Sequence, residues 1–91
     1  MFSVYAIQSE KTGRIYIGQT ANMDARLRAH NRGHVLSTVA DRPWIIVKQQ
    51  LFATQREARW LEHCLKRSRA RRLKWLAENT GLRAGGGETQ I

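Results

Sequence analysis

Two short apolar runs joined by a polar segment open the chain. The runs SVYAIQ at 3–8 and RIYIGQ at 14–19 are rich in β-branched and aromatic residues, which favour strands. Between them lies SEKTG, whose Gly13 suits a turn. This pattern predicts an antiparallel hairpin with a five-residue connection. The strongest apolar run, WIIVKQQLF at 44–52, predicts a third strand and the most buried of the three.

The first predicted helix follows the hairpin. Thr20 or Asn22 can cap its start, and Met23 and Leu27, four residues apart, share a face that can pack on the sheet. It should end near residue 31, because Gly33 can adopt the left-handed conformation that terminates helices.

Two further helices are expected after the third strand. In the helix at about 54–66, Thr54 and Glu57 form a capping box, and an apolar stripe follows at Ala58, Leu61 and Leu65. In the helix at about 69–78, Leu73 and Leu76 are expected to pack inward. Core packing rather than base stacking is expected for the three tryptophans, which are Trp44, Trp60 and Trp75.

These elements occur in the order β-β-α-β-α-α. The order predicts a small α/β domain of the α+β type, with a three-stranded, mostly antiparallel sheet flanked by helices. With 91 residues the chain forms one domain, which we assign to 1–80, and the glycine-rich 81–91 is expected to be a disordered tail.

No apolar run approaches the ~20 residues of a membrane span, and no signal peptide is evident, so we expect a cytoplasmic protein. The single cysteine, Cys64, excludes an internal disulfide and is expected to be a buried thiol.

The charge is strongly unbalanced. Sixteen Lys and Arg stand against seven Asp and Glu, giving a net charge of +9. Such an excess attracts polyanions, of which nucleic acid is the commonest. Six of the cations fall in the nine residues 66–74, which include no acid. We expect this run to contact phosphates rather than to be only a solvated helix; its cations are Lys66, Arg67, Arg69, Arg71, Arg72 and Lys74.

The candidate chemical groups are two phenols, a guanidinium, an imidazole and one carboxylate. Together they suit metal-assisted cleavage of a phosphodiester, which requires a base for water and neutralisation of phosphoryl charge. Two-metal nucleases need several convergent carboxylates, whereas Glu57 and Glu62 diverge by about 140° on a helix. A single Mg²⁺ held by Glu62, water and substrate oxygens is the simpler site.

An ordered series of motifs carries a family resemblance. The series consists of Ser3-Val4-Tyr5, Tyr16-Ile17-Gly18, Arg26-Leu27-x-x-His30-Asn31-x-Gly33, Ser37-Thr38, Arg42-Pro43-Trp44 and Glu57-Ala58-x-x-x-Glu62-x-x-Leu65-Lys66. Over residues 3 to about 76 the chain resembles the GIY-YIG nuclease superfamily, and more narrowly its small stand-alone bacterial members.

The resemblance implies a role for each candidate residue. Tyr16 would receive the proton of the attacking water, which requires nearby positive charge because a tyrosine side chain ordinarily ionises near pH 10. Tyr5 would hydrogen-bond to the scissile phosphate or position water, and Arg26 would neutralise the phosphate. His30 would assist proton transfer or orient Tyr5. Glu62 would be the sole protein ligand of Mg²⁺ or Mn²⁺.

The chain departs from the family pattern in three respects, of which one is the lack of a match to the asparagine that follows the metal-binding glutamate in several members; Asn79 is a poor candidate for it. Ser3 replaces the name-giving glycine, and Gln19 stands where repair-incision members carry a lysine. In the loop before the third strand, Ser37, Thr38 and Arg42 could contact the nucleic-acid backbone or only shape the loop.

The sequence therefore predicts a metal-dependent DNA endonuclease. Structure selectivity for single-stranded, flap or branched DNA is expected, in repair, recombination or DNA uptake, because the chain has no room for a separate recognition domain. Targeting by a homodimer or a protein partner is open. The alternatives are a catalytically weak module that binds DNA or RNA and keeps the nuclease fold, and a basic RNA-associated protein.

Overall fold

The computed structural model describes residues 1–78, which form an antiparallel sheet and three helices. The predicted element order and the α+β class are confirmed. The predicted tail at 81–91 lies outside the described residues. No helix within residues 1–78 is long and apolar enough to cross a membrane. The elements are β1 (Phe2–Ser9), β2 (Ile15–Thr20), α1 (Met23–Asn31), a short 3₁₀ helix (Val39–Asp41), β3 (Trp44–Phe52), α2 (Gln55–Arg67) and α3 (Arg69–Ala77).

The sheet has the strand order β2-β1-β3, and both pairings are antiparallel. The β1–β2 hairpin is the predicted one, and it places Tyr5 opposite Gly18 and Ile7 opposite Tyr16. Side chains alternate between the two faces of a strand, so Tyr5, Ile7 and Tyr16 share one face.

The prediction that β3 is the most buried strand was wrong. β1 lies between two neighbours, and five consecutive residues in it are buried, whereas β3 forms an edge. Ile45, Ile46 and Val47 of β3 are 42, 37 and 39% exposed. An unbroken apolar run is typical of a central strand, but which strand lies at the edge is decided by the pairing order, which the run does not encode.

Helices cover both faces of the sheet. Against the first face, α1 packs Met23 and Leu27 onto a cluster of Tyr5, Ile7 and Trp44, as the helical spacing predicted. Against the second face, α2 and α3 build the larger apolar core, whose buried members are Val4, Ala6, Ile17, Ala58, Leu65 and Trp75.

The helix ends follow the predicted local chemistry. Asn22 caps α1 by accepting from the Ala25 amide at 3.1 Å, and Gly33 follows the helix with φ +83°. Thr54 and Glu57 close the capping box of α2 in both directions. These caps satisfy backbone amides that lack partners in the first turn of a helix.

Several predicted core positions need correction. Trp44 and Trp75 are buried as expected, but Trp60 is 67% exposed. Because α2 buries its Ala58 and Leu65 side, Trp60 falls on the opposite, solvent side. Leu73 is 50% exposed while Leu76 packs on the core, so only one of that predicted pair faces inward. The Cys64 thiol is half-buried rather than fully buried.

Candidate active site

Gly18 makes room for the first tyrosine. The Tyr5 ring lies over β2, and a Cβ built on Gly18 would stand 2.5 Å from the Tyr5 hydroxyl and 2.7 Å from its Cζ. No real Cβ contact is that short, so any larger residue would displace the phenol. The glycine of the Tyr16-Ile17-Gly18 motif is therefore explained by close approach of a side chain.

The Tyr5 hydroxyl is the centre of a buried hydrogen-bonded chain. Arg26 donates from Nε to it at 3.3 Å, and it lies 2.9 Å from His30 Nε2. On the other side of the imidazole, Nδ1 lies 2.8 Å from Thr38 Oγ1, which donates to the Val35 carbonyl at 3.3 Å.

The donors of this chain assign its protons. We assign the His30 proton to Nδ1, because this tautomer gives every donor an acceptor: Nδ1 donates to Thr38 Oγ1, the Thr38 hydroxyl donates to the Val35 carbonyl, and Nε2 is left to accept. Tyr5 then donates to Nε2 and accepts from Arg26, which has only donors. Every hydrogen bond points the same way, from the guanidinium to the backbone carbonyl.

Burial keeps Tyr5 and His30, the inner members of this hydrogen-bonded chain, neutral. Desolvation, reinforced by the Arg26 charge, lowers the pKa of His30 to about 4. Burial also raises the pKa of Tyr5 above its ordinary value, although the hydrogen bond from Arg26 opposes the shift. The hydrogen bond to Tyr5 raises the pKa of Arg26. At neutral pH the hydrogen-bonded chain therefore consists of the Arg26 cation, the protonated Tyr5 phenol and the neutral His30 imidazole.

The burial of Tyr5 and His30 bears on the roles expected for them. Tyr5 and His30 are both fully buried, so neither is a surface residue and Tyr5 is not placed to touch a phosphate directly. Of the alternatives for His30, orientation of Tyr5 is the one that its hydrogen bond matches.

Tyr16 occupies the accessible side of the same cluster. It is half-buried, with its ring edge-to-face against His30 at 5.1 Å and Trp44 at 6.4 Å. The Lys66 ammonium lies 5.7 Å from the ring centroid. Lys66 belongs to α2, which packs on the other face of the sheet, so its side chain reaches Tyr16 across the β2 edge.

Glu62 joins the site through Lys66. Its carboxylate lies 2.9 Å from the Lys66 ammonium, one turn along α2. Within residues 1–78 no three His, Cys, Asp or Glu side chains converge to hold a metal. A lone carboxylate fits a hard cation such as Mg²⁺, which keeps several waters, and the ammonium shows that this carboxylate already faces a positive charge.

The cation beside Tyr16 was not recognised from the sequence as part of the site. Lys66 was predicted to contact phosphates as one of a basic run, and the detectable signal was its spacing of four from Glu62. Gln19, at the family's lysine position, pairs with Val4 and so lies on the face opposite Tyr16. Its buried Oε1 has no hydrogen-bond partner within residues 1–78.

A second group of contacts holds the loop over the site. The Asn31 side chain bonds both the amide and the carbonyl of Trp44, which ties the end of α1 to β3. Arg14 pairs with Asp41 at 2.8 Å and donates to the Ser37 carbonyl. Neither role was predicted, because each joins segments far apart in sequence.

The loop residues expected to contact nucleic acid divide into two kinds. Thr38 is fully buried and bonded to His30, which fits the alternative that it shapes the loop rather than contacts nucleic acid. Ser37 and Arg42 are exposed, although Arg42 also donates to the Val39 carbonyl.

The basic run presents most of its charge to solvent. Arg72 is half-buried and donates to the Leu65 carbonyl at 2.9 Å, so it secures the α2–α3 junction. The other four cations beyond Lys66 are exposed; they are Arg67, Arg69, Arg71 and Lys74.

Comparison with known proteins identifies the family. The model of the GIY-YIG catalytic domain matches residues 1–74, which is most of the chain. The chain belongs to the GIY-YIG family. A UPF0213 protein of Staphylococcus haemolyticus is 35% identical over 77 residues, covering 82% of this chain and 93% of that protein. The solution NMR structure of a UPF0213 protein from Bacillus halodurans covers 90% of this chain and 89% of its own, with 26% identity and a TM-score of 0.56.

Membership places this chain in a nuclease-type family, and the domain implies binding of nucleic acid. The expected resemblance is confirmed.

Proposed function

We propose that this protein is a metal-dependent endonuclease that hydrolyses DNA phosphodiester bonds with a single divalent ion. The observation that supports this most strongly is the convergence on Tyr16. The Lys66 ammonium lies 5.7 Å from the centroid of the half-buried Tyr16 ring and is itself paired with the Glu62 carboxylate. On the other side, the hydrogen-bonded chain through Tyr5 ends in Arg26.

Tyr16 is the proposed base for the attacking water. Removing that proton requires a phenolate, which is stabilised by nearby positive charge. Lys66 supplies such a charge over the ring, and Arg26 supplies a second next to Tyr5. Tyr16 is the better candidate of the two tyrosines because Tyr5 is fully buried and its hydroxyl is already hydrogen-bonded to His30 and Arg26.

Arg26 is proposed to neutralise the phosphate through its guanidinium. Its Nε is occupied by Tyr5, which leaves the terminal nitrogens to face the substrate. Tyr5 and His30 are then positioning residues, since they act by fixing the guanidinium. Thr38 fixes His30 in turn.

Glu62 is proposed to hold Mg²⁺ or Mn²⁺. When bound, such an ion supplies charge neutralisation at the scissile phosphate. Glu62 would hold the ion with the same carboxylate that now pairs with Lys66, whose ammonium also lies beside the Tyr16 ring. We extend the proposal to structure-selective action on single-stranded, flap or branched DNA.

A cleavage assay tests the proposal. Labelled single-stranded, duplex and branched DNA, and RNA, are incubated with Mg²⁺, Mn²⁺ or EDTA. We expect metal-dependent products, reduced at least ~100-fold by Tyr16→Phe because a general base contributes about 10²–10⁴-fold. Glu62→Gln should abolish them, whereas Glu10→Gln, at an exposed hairpin acid, should not. Circular dichroism verifies that each variant is folded.

Binding without cleavage on every substrate and with both metals would contradict the proposal. That result would favour the alternative of a nucleic-acid-binding module that keeps the nuclease fold.

A further inference from the structure

A single tryptophan stands out on the solvent side of α2. Trp60 is 67% exposed, whereas Trp44 and Trp75 are 2% and 5% exposed. Its ring stacks on His63, with centroids 5.8 Å apart and planes at 24°. The His63 ring lies against one face of the indole, and most of the Trp60 surface remains open to solvent.

Arginines surround this ring. Arg56 and Arg59 line the depression on one side of it, and Arg67 and Arg71 line the groove on the other. We call Arg56, Arg59, Trp60, His63 and Arg67 the tryptophan face. At about 100° per residue these five positions fall within roughly 60° of one line along α2.

No carboxylate interrupts the tryptophan face within residues 1–78. The two acids of α2 lie on its flanks, where Glu57 closes the capping box with Thr54 and Glu62 pairs with Lys66. Lone exposed apolar residues are ordinary, but an aromatic ring flanked by arginines on both sides complements a polyanion that carries flat rings. A protein partner would instead need acidic side chains of its own to neutralise the three arginines of the tryptophan face.

An exposed indole between arginines is the arrangement that binds unpaired bases. Stacking on an aromatic side chain tolerates any base, and flanking guanidiniums hold the backbone phosphates. Bases within a duplex have both faces covered by neighbours, so a duplex cannot use Trp60 in this way.

The tryptophan face lies next to the candidate active site. Trp60 and Glu62 are two residues apart on different sides of α2, so they are separated by about one helix diameter, roughly 10–12 Å. A strand passing over α2 could therefore place one base on Trp60 while a nearby phosphate reaches Glu62.

We propose that the tryptophan face binds an unpaired base of single-stranded nucleic acid through stacking on Trp60. This inference rests on the proposed function only in taking nucleic acid as the partner, and it specifies the substrate class as one with unpaired bases next to the cleaved bond.

Binding measured in EDTA tests the face without any contribution from cleavage. A short labelled oligothymidine, the same oligonucleotide with abasic sugars, and a blunt duplex are titrated by fluorescence anisotropy. We expect Trp60→Ala to weaken oligothymidine binding by roughly 5- to 150-fold, and Trp60→Phe to retain most of the affinity. Abasic and duplex binding should change little, because neither offers a free base. Leu36→Ala, at an exposed residue in the loop after α1, controls for loss of an apolar side chain.

Intrinsic fluorescence gives a second readout. Because the other two tryptophans are buried, quenching by oligothymidine should be lost in Trp60→Ala. Equal affinity of Trp60→Ala and the wild type for oligothymidine would overturn the inference alone. An equal loss for the abasic strand would also overturn it, since stacking would not be the cause. Failure of the wild type to bind any strand would overturn both the inference and the proposed function.

Discussion

Acid should destabilise this protein through one buried histidine. His30 has no exposed surface, and in the folded state its pKa falls from an ordinary 6.5 to about 4 because of burial and the neighbouring Arg26 charge. The groups that face the imidazole are the Tyr5 phenol, the Thr38 hydroxyl and the Tyr16 and Trp44 rings, none of which carries a compensating negative charge.

The sign of the effect follows from proton binding. Between these two pKa values the unfolded chain binds a proton at His30 that the folded protein rejects, so stability falls as the pH falls. The stabilisation is complete above pH 6.5 and is lost as the pH drops toward 4. At about 1.4 kcal/mol per unit, a shift of about 2.5 units corresponds to about 3 kcal/mol in full, and to about 2.5 kcal/mol between pH 7.5 and 4.5.

Urea unfolding at pH 7.5 and 4.5 measures this loss, with the buried Trp44 and Trp75 as fluorescent reporters. His30→Gln removes the titrating group. Between pH 7.5 and 4.5 its free energy of unfolding should therefore fall by about 2.5 kcal/mol less than that of the wild type. Carboxylates that titrate below pH 5 contribute equally to both proteins and cancel. His34→Gln, at an exposed histidine, controls for the loss of one imidazole. The same pH-dependent loss in wild type and His30→Gln would refute the reasoning.

Three further predictions concern packing and charge. Gly18→Ala should lower the free energy of unfolding by about 1–3 kcal/mol, measured by urea denaturation, because its Cβ meets the buried Tyr5 hydroxyl; an unchanged stability would show that the ring shifts freely. Thr38→Val should lower cleavage without weakening DNA binding in EDTA, since it frees the imidazole that orients Tyr5; equal losses in both assays would argue for general disruption. Changing Arg69 and Arg71 to Gln should lower the slope of log Kd against log salt concentration by up to about 2, because fewer counterions are released. An unchanged slope would show that these two arginines do not contact phosphates.

Local patterns in the sequence predicted most of the fold. The caps of α1 and α2 depend on residues within three positions of each other, and the hairpin depends on two adjacent runs, so both could be found without knowing the tertiary structure. The position of β3 could not be found in this way. Its apolar run is suited to burial, but the edge position results from β1 pairing on both sides.

The candidate site shows the same division. Tyr5, Tyr16, Arg26, His30 and Glu62 were all proposed from motif spacing, and the structure brings them to one region of the sheet. The direction of the hydrogen bonds among them could not be predicted, since it depends on a loop hydroxyl at Thr38 and a carbonyl at Val35. Trp60 was misplaced on the ground of its size and apolarity, although the apolar stripe at Ala58 and Leu65 already indicates that it lies on the opposite side of α2.

The two proposed surfaces give a function to the sides of α2 that do not pack on the sheet. One side of the helix carries the core through Ala58 and Leu65, and its opposite side carries an indole between arginines. The edge between these sides carries Glu62 and Lys66, which face Tyr16. A helix that only supported the sheet would need the first side alone. If α2 both holds the metal ligand and binds an unpaired base, then the distance between base and cleaved bond is set by one rigid element, and cleavage should occur at a constant offset from the single-stranded region.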